Sequence, residues 1–100
     1  QSDDKIILTK DTWQYGRYDK FDAGLYQVEI FGENLKDGEI DCFANGVTFN
    51  IEIETYDESY VKYNVKFDSD YDAVEFRIFN ATNNDVIVNK IAINRIGNNI

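Results

Sequence analysis

Hydrophobic and polar residues alternate along most of this chain with a period of two. In the segment 25–31, for example, Tyr26, Val28 and Ile30 face one way while the polar residues between them face the other. This alternation is typical of a β-strand that has one buried and one exposed face. Further segments with the same pattern are 39–43, 47–54, 60–67, 74–79 and 86–96, and the apolar segment 6–9 is predicted to be a short strand.

No segment shows a sustained helical period, so the predicted fold class is all-β. Seven or eight short strands at near-regular spacing are typical of an antiparallel β-sandwich of two sheets. The segment 10–21 has no clean period and is predicted to be a loop or an irregular edge strand. Asn45-Gly46 predicts a tight hairpin turn with positive φ at both residues. The apolar positions before and after Asn89 are out of phase, which predicts a kink in the last strand.

Length and composition predict one domain that spans residues 1–100. A chain of 100 residues with 43% hydrophobic and 15% aromatic residues can fill a single core. Because the chain begins with Gln1 rather than Met, we expect a module excised from, or attached to, a larger protein. Its Asn-, Ile-, Asp- and Tyr-rich usage indicates an AT-rich bacterial genome.

The charge of the chain narrows the range of its partners. The formal net charge is −9, and nucleic-acid binding needs clustered Lys and Arg, so we expect no nucleic-acid partner. The same charge disfavours anionic membrane surfaces. No apolar run approaches the roughly 20 residues that a membrane-spanning helix needs, so we expect no membrane insertion.

The sequence gives little support for catalysis, and the chain is predicted not to be an enzyme. It contains no His, so its few Ser residues lack the usual activating base. Two of its 19 acidic residues could in principle catalyse glycoside hydrolysis. No pair stands out, so a small hydrolase is the weakest hypothesis. Cys42 is the only Cys and is predicted to be a small buried apolar residue.

Asp68, Asp70 and Asp72 are spaced like the opening of a calcium-binding loop. A helix-loop-helix calcium site also needs Gly at the sixth position and Glu at the twelfth, where this chain has Ala73 and Phe79. We therefore interpret the segment as an acidic hairpin turn. A structural calcium ion that shares one of these carboxylates in a non-helical site is kept as an alternative.

The candidate carbohydrate-binding site is the only aromatic cluster outside a regular strand. It comprises Trp13, Gln14, Tyr15, Arg17 and Tyr18. A sugar ring stacks its apolar CH face on an aromatic ring, and its hydroxyls prefer planar hydrogen-bonding partners such as Arg and Gln. The cluster offers both kinds of group. In the alternative interpretation, Trp13 and Tyr15 simply cover one end of the core.

A second candidate surface consists of residues at outward positions of several strands. These residues are Gln27, Glu29, Phe31, Asn50, Asn64, Arg77 and Phe79. If they share one sheet face, their amides, guanidinium and rings would suit a glycan groove. They would equally suit a solvated sheet with a helix or another domain packed on it. Elsewhere, Asn80-Ala81-Thr82 matches a glycosylation sequon, which we interpret as coincidence in a bacterial chain.

The order of these motifs resembles that of β-sandwich carbohydrate-binding modules. The segment 22–30, which reads DAGLYQVEI, is similar to their aGxYxVxV strand, and the segments 74–80 and 86–93 are similar to their last two strands. The resemblance covers roughly residues 6–96. It implies a jelly-roll-like sandwich that binds sugar through loop aromatics at one end and often holds a structural calcium ion.

The leading hypothesis is therefore a non-catalytic carbohydrate-binding accessory module of an extracellular or surface polysaccharide-active protein. Its expected partners are a polysaccharide or oligosaccharide and the other domains of the parent protein. The rival hypothesis is a structural or adhesion β-sandwich module that mediates protein interaction or spacing. Both hypotheses place the chain outside a bacterial cell or on its surface.

Overall fold

A computed structural model describes residues 5–14 and 19–97 of the chain, with the backbone alone for Gln14 and Asp19. Nearly all of these residues lie in antiparallel strands. The strands are β1 (Ile6–Leu8), β2 (Thr12–Gln14), β3 (Asp19–Phe21), β4 (Gly24–Glu33), β5 (Gly38–Ala44), β6 (Val47–Thr48), β7 (Ile51–Tyr56), β8 (Tyr60–Phe67), β9 (Tyr71–Asn80) and β10 (Val86–Gly97). One 3₁₀-helix, Leu35–Asp37, joins β4 to β5.

The strands form two sheets packed face to face, which confirms the predicted all-β sandwich. The first sheet has the strand order β1-β10-β4-β8-β7. The second has the order β2-β9-β5-β6, with β3 paired to the first part of β9. Every pair is antiparallel, and most neighbours are distant in sequence, as in a jelly roll. Within the described residues there is no helix with the length and apolar character that a membrane crossing requires.

The described residues form ten strands rather than the predicted seven or eight, because two predicted segments are divided. The segment 47–54 alternates without a break, yet β6 pairs with β5 in the second sheet and β7 pairs with β8 in the first. The chain therefore crosses from one sheet to the other at residues 49–50. The segment 10–21, predicted to be irregular, supplies the two short strands β2 and β3 on β9.

The core lies between the sheets and is built from the inward positions of the long strands. In β8, for example, Val61, Tyr63, Val65 and Phe67 are buried while the residues between them face outward. The buried hydrophobic residues form one continuous cluster with contributions from both sheets. Each fully buried aliphatic or aromatic side chain contributes about 1.5–3 kcal/mol to folding, so this cluster holds the two sheets together.

Two local predictions are confirmed by the backbone. Asn45 and Gly46 have φ angles of 51° and 78°, and they join Ala44 to its partner Val47 in a two-residue hairpin turn. The predicted kink near Asn89 is a bulge, because the pairing of β10 with β4 shifts between Val88 and Lys90. The bulge brings the apolar residues on both sides of Asn89 toward the same core.

Two buried ionisable groups predict that the domain loses stability in alkaline solution. Burial raises the pKa of the Cys42 thiol from 9.0 to about 12, with a smaller upward contribution from Asp41. Burial also raises the pKa of Tyr63 well above its usual value, and its hydroxyl has no hydrogen-bond partner among the described residues. Both groups ionise at lower pH in the unfolded chain, so stability should fall as pH rises from 9 toward 12.

Urea unfolding across this alkaline range measures the effect, and the Cys42→Ala variant should show a shallower pH dependence than the parent. The native thiol should also resist Ellman's reagent until the protein unfolds, because Cys42 is fully buried. Rapid labelling of the folded protein, or equal alkaline slopes for the two proteins, would contradict the burial of Cys42.

Candidate functional site

Trp13 lies on the outer face of the second sheet rather than in its core. Strand β2 places Trp13 directly opposite Phe79 of β9, and the two rings contact each other with centroids 4.5 Å apart. Phe79 must point outward, because its neighbours Ile78 and Asn80 are buried. Trp13 is 41% exposed, so solvent reaches part of its ring while Phe79 supports another part.

Arg77 fills the space next to this aromatic pair. Its guanidinium carbon lies 5.2 Å from the centre of the Trp13 ring and 4.4 Å from the centre of the Phe43 ring. Asp41, its cross-strand partner, accepts two hydrogen bonds from the guanidinium, each 2.7 Å long. This bidentate geometry fixes the plane of the guanidinium, and the two rings add cation–π attraction.

Five residues thus form a rigid, nearly continuous surface that we call the platform: Trp13, Phe79, Arg77, Asp41 and Phe43. All five lie on neighbouring strands of one sheet, whose backbone pairing fixes their spacing. The rings supply flat apolar area, and the ion pair supplies a planar donor beside a carboxylate. An arrangement of this kind can stack on the apolar face of a ring-shaped ligand and hydrogen-bond to its rim.

Carboxylate groups predominate around the platform. Glu39 pairs with Phe79, and Glu75 pairs with Phe43, so both carboxylates emerge beside platform rings. With Asp41 and Arg77, the described residues 39–43 of β5 and 75–79 of β9 present three carboxylates and one guanidinium on this face. The electrostatic field at the platform therefore favours neutral or cationic ligands over anionic ones.

Only part of the predicted aromatic cluster can be compared with the structure. Trp13 is described in full, and the backbone of Gln14 pairs with Ile78 in the second sheet. The other three predicted site residues, Tyr15, Arg17 and Tyr18, lie outside the described residues. The structure adds residues that the sequence cluster did not include: Phe79 and Arg77 of β9 contact Trp13, and Asp41 and Phe43 of β5 contact Arg77.

The second predicted surface is wrong as a single face, because its residues lie on two sheets. Arg77 and Phe79 belong to the platform on the second sheet. The outer face of the first sheet carries Gln27, Glu29, Phe31 and Asn64, and Asn50 lies at the crossing between the sheets.

Side chains on the outer face of the first sheet contact one another. Tyr60 packs against Phe31 with ring centroids 5.2 Å apart and donates a hydrogen bond of 2.5 Å to Glu29. Asn64 donates a hydrogen bond to Glu54. The two outer faces point in opposite directions, so these residues cannot contact the same ligand as Arg77 and Phe79.

Two of the three aspartates of the predicted calcium alternative accept hydrogen bonds from different partners. Asp70 accepts a hydrogen bond from the backbone of Ala23, and Asp68 accepts one from the hydroxyl of Tyr71. Across the described residues, no group of three or more potential ligand side chains is placed to hold a metal ion. A structural calcium ion therefore stays a prediction from the sequence.

Comparisons with known proteins found no matching family model, no similar curated protein and no similar solved structure.

Proposed function

We propose that this chain is a non-catalytic carbohydrate-binding module and that the platform around Trp13 is its binding site. The observation that supports this proposal most directly is the partial exposure of Trp13 on a sheet face, with its ring supported by Phe79 and Arg77. A supported, solvent-facing ring can stack on a sugar without a conformational change. The side chains of the site are then already ordered in the folded protein, so binding costs little further conformational entropy.

The chemistry around the ring fits a polyhydroxylated ligand. Asp41 and Arg77 present a carboxylate and a planar guanidinium at one edge of the aromatic surface, where hydroxyl groups of a stacked sugar would lie. Because carboxylates predominate around the platform, we propose neutral polysaccharides or amino sugars rather than polyuronates as ligands. Binding of this kind suits an accessory module of an extracellular or surface polysaccharide-active protein of bacterial origin.

Affinity gel electrophoresis tests the proposal. Glucan, xylan, mannan and chitosan gels are compared with a polygalacturonate gel, and at least one of the first four should retard the protein. The Trp13→Ala variant should lose this retardation and keep its fold, because a partly exposed ring contributes little to the core. Circular dichroism and thermal melting establish that the variant is folded.

The Phe31→Ala variant is the matched control. Phe31 is also a partly exposed aromatic residue, at 37%, but it lies on the outer face of the opposite sheet. It should therefore bind like the parent chain. If no polysaccharide retards the folded parent, the proposal is wrong, and the structural or adhesion hypothesis replaces it. Equal losses in both variants would show that the platform is not the binding site.

A further inference from the structure

We infer that the proposed binding site continues from the platform into a cleft at the corner of the sandwich, and that its ligand is an extended sugar chain. This inference rests on the proposed function and specifies the class of ligand further. The cleft lies where the chain crosses between the sheets and has a volume of about 460 Å³. Its lining residues are Val47, Thr48, Phe49, Asn50, Lys66, Asp68 and Tyr71.

The walls of the cleft combine aromatic surface with polar groups of both signs. Phe49 and Tyr71 meet edge to face, with ring centroids 4.9 Å apart. The Tyr71 hydroxyl donates a hydrogen bond of 2.9 Å to Asp68, which orients that carboxylate at the wall. Asn50 is exposed and adds an amide with both donor and acceptor atoms. Apolar rings with a few convergent polar groups are the usual lining of a small-molecule site.

Thr48 connects the cleft to the platform. It pairs with Phe43 across β5 and β6, so the two side chains share the outer face of the second sheet. Phe43 packs against Arg77 at the centre of the platform, and Thr48 lines the cleft. A ligand that leaves Trp13 in the direction of Arg77 and Phe43 therefore reaches the cleft without leaving the protein surface.

The length of this path decides the kind of ligand. From Trp13 to Thr48 the path crosses from β2 through β9 and β5 to β6, and it covers the distance from Phe79 to Glu75 along β9. With typical strand spacing and rise, the path is about 20 Å long. A single sugar covers only one end of it, whereas a linear oligosaccharide of several units contacts the platform and the cleft together.

Calorimetric titration with oligosaccharides of increasing length tests the inference. The probes are β-1,4-linked glucose, xylose and mannose oligosaccharides, each from the disaccharide to the hexasaccharide. In the series that binds, affinity should rise about tenfold or more between the trisaccharide and the hexasaccharide. The Asn50→Ala variant should lose most of this gain and bind short oligosaccharides like the parent chain. Asn83→Ala is the control and should keep the full gain, because Asn83 is exposed in the turn after β9 and does not line the cleft.

The results separate failure of this inference from failure of the proposed function. If short and long oligosaccharides bind equally well, or if Asn50→Ala leaves the length dependence intact, the cleft is not part of the site. The platform would then still bind carbohydrate, and the proposed function would survive. If the folded parent chain binds none of the probes and none of the polysaccharides, the proposed function is wrong and this inference falls with it.

Discussion

The Asn80→Asp substitution should lower the free energy of unfolding by about 3–5 kcal/mol at neutral pH, which is a large share of the stability of a small domain. Asn80 is fully buried. Its amide nitrogen donates hydrogen bonds of 2.7 and 2.6 Å to the carbonyl oxygens of Leu8 and Asn84. Its amide oxygen accepts hydrogen bonds from the backbone and the hydroxyl of Thr82. The side chain thus joins the end of β1 to the turn that follows β9.

A carboxylate at this position cannot replace the amide. It would keep the acceptor for Thr82 but would turn a second oxygen toward the two carbonyl oxygens, which would lose their donors. Burial would raise the pKa of the new carboxyl above its usual value. The cost of ionisation should therefore be largest above that pKa and shrink as pH falls through it.

Urea unfolding monitored by fluorescence measures this effect. Asn83→Asp is the matched control, because it adds the same charge to the same turn at an exposed position. The control should change stability by less than about 0.5 kcal/mol. Equal stability of the two variants would show that the hydrogen bonds of Asn80 do not matter for folding.

The same contacts bear on the sequon at Asn80-Ala81-Thr82. The amide nitrogen that a glycan would have to occupy is buried and donates two hydrogen bonds, and the Thr82 hydroxyl is bonded to the amide oxygen. Attachment of a glycan is incompatible with this arrangement. The side chains of Asn80 and Thr82 therefore stabilise the turn after β9 in the folded domain.

The sequence predicted the strands well because every second side chain of a strand is buried between the two sheets. Tyr63 and Val65 are buried and Asn64 between them faces outward, as their alternation predicted. The same pattern could not reveal the crossing at residues 49–50. Both sheets bury their inner residues against one core, so an alternating segment looks the same whether it stays in one sheet or passes to the other.

The candidate site was predictable only in part, for a related reason. Trp13 stood out because it belongs to an aromatic cluster outside the regular strands, but its neighbours in space come from strands distant in sequence. Asp41 and Phe43 occupy ordinary outward positions of β5, next to buried Cys42. Alternation can mark them as outward-facing, whereas only the strand order β2-β9-β5 places them on the same sheet face as Trp13, with Arg77 between. The same missing information led to Asn64 and Arg77 being assigned to one face.

The Gly32→Ala substitution should also destabilise the domain strongly, by about 3 kcal/mol or more. A Cβ atom at Gly32 would overlap the carbonyl oxygen of Ile87 and lie 2.9 Å from its carbonyl carbon. Both are backbone atoms of β10, so no side-chain rotation can relieve the clash. The close approach occurs beside the bulge at Asn89, where the pairing of β10 with β4 shifts. Gly in a strand interior often marks such a close backbone approach.

Gly97→Ala is the matched control for this prediction. Gly97 lies in β10 and pairs with Leu25 of β4, but a Cβ atom there would come no closer than 3.8 Å to its nearest neighbour. This is ordinary van der Waals contact, so the control should change stability little. Thermal unfolding of the two variants and the parent chain measures the difference. If Gly32→Ala melts with the parent, the two strands do not approach as closely as described. If it melts far below both Gly97→Ala and the parent, the close approach of β4 to the Ile87 backbone requires a residue without a side chain at position 32.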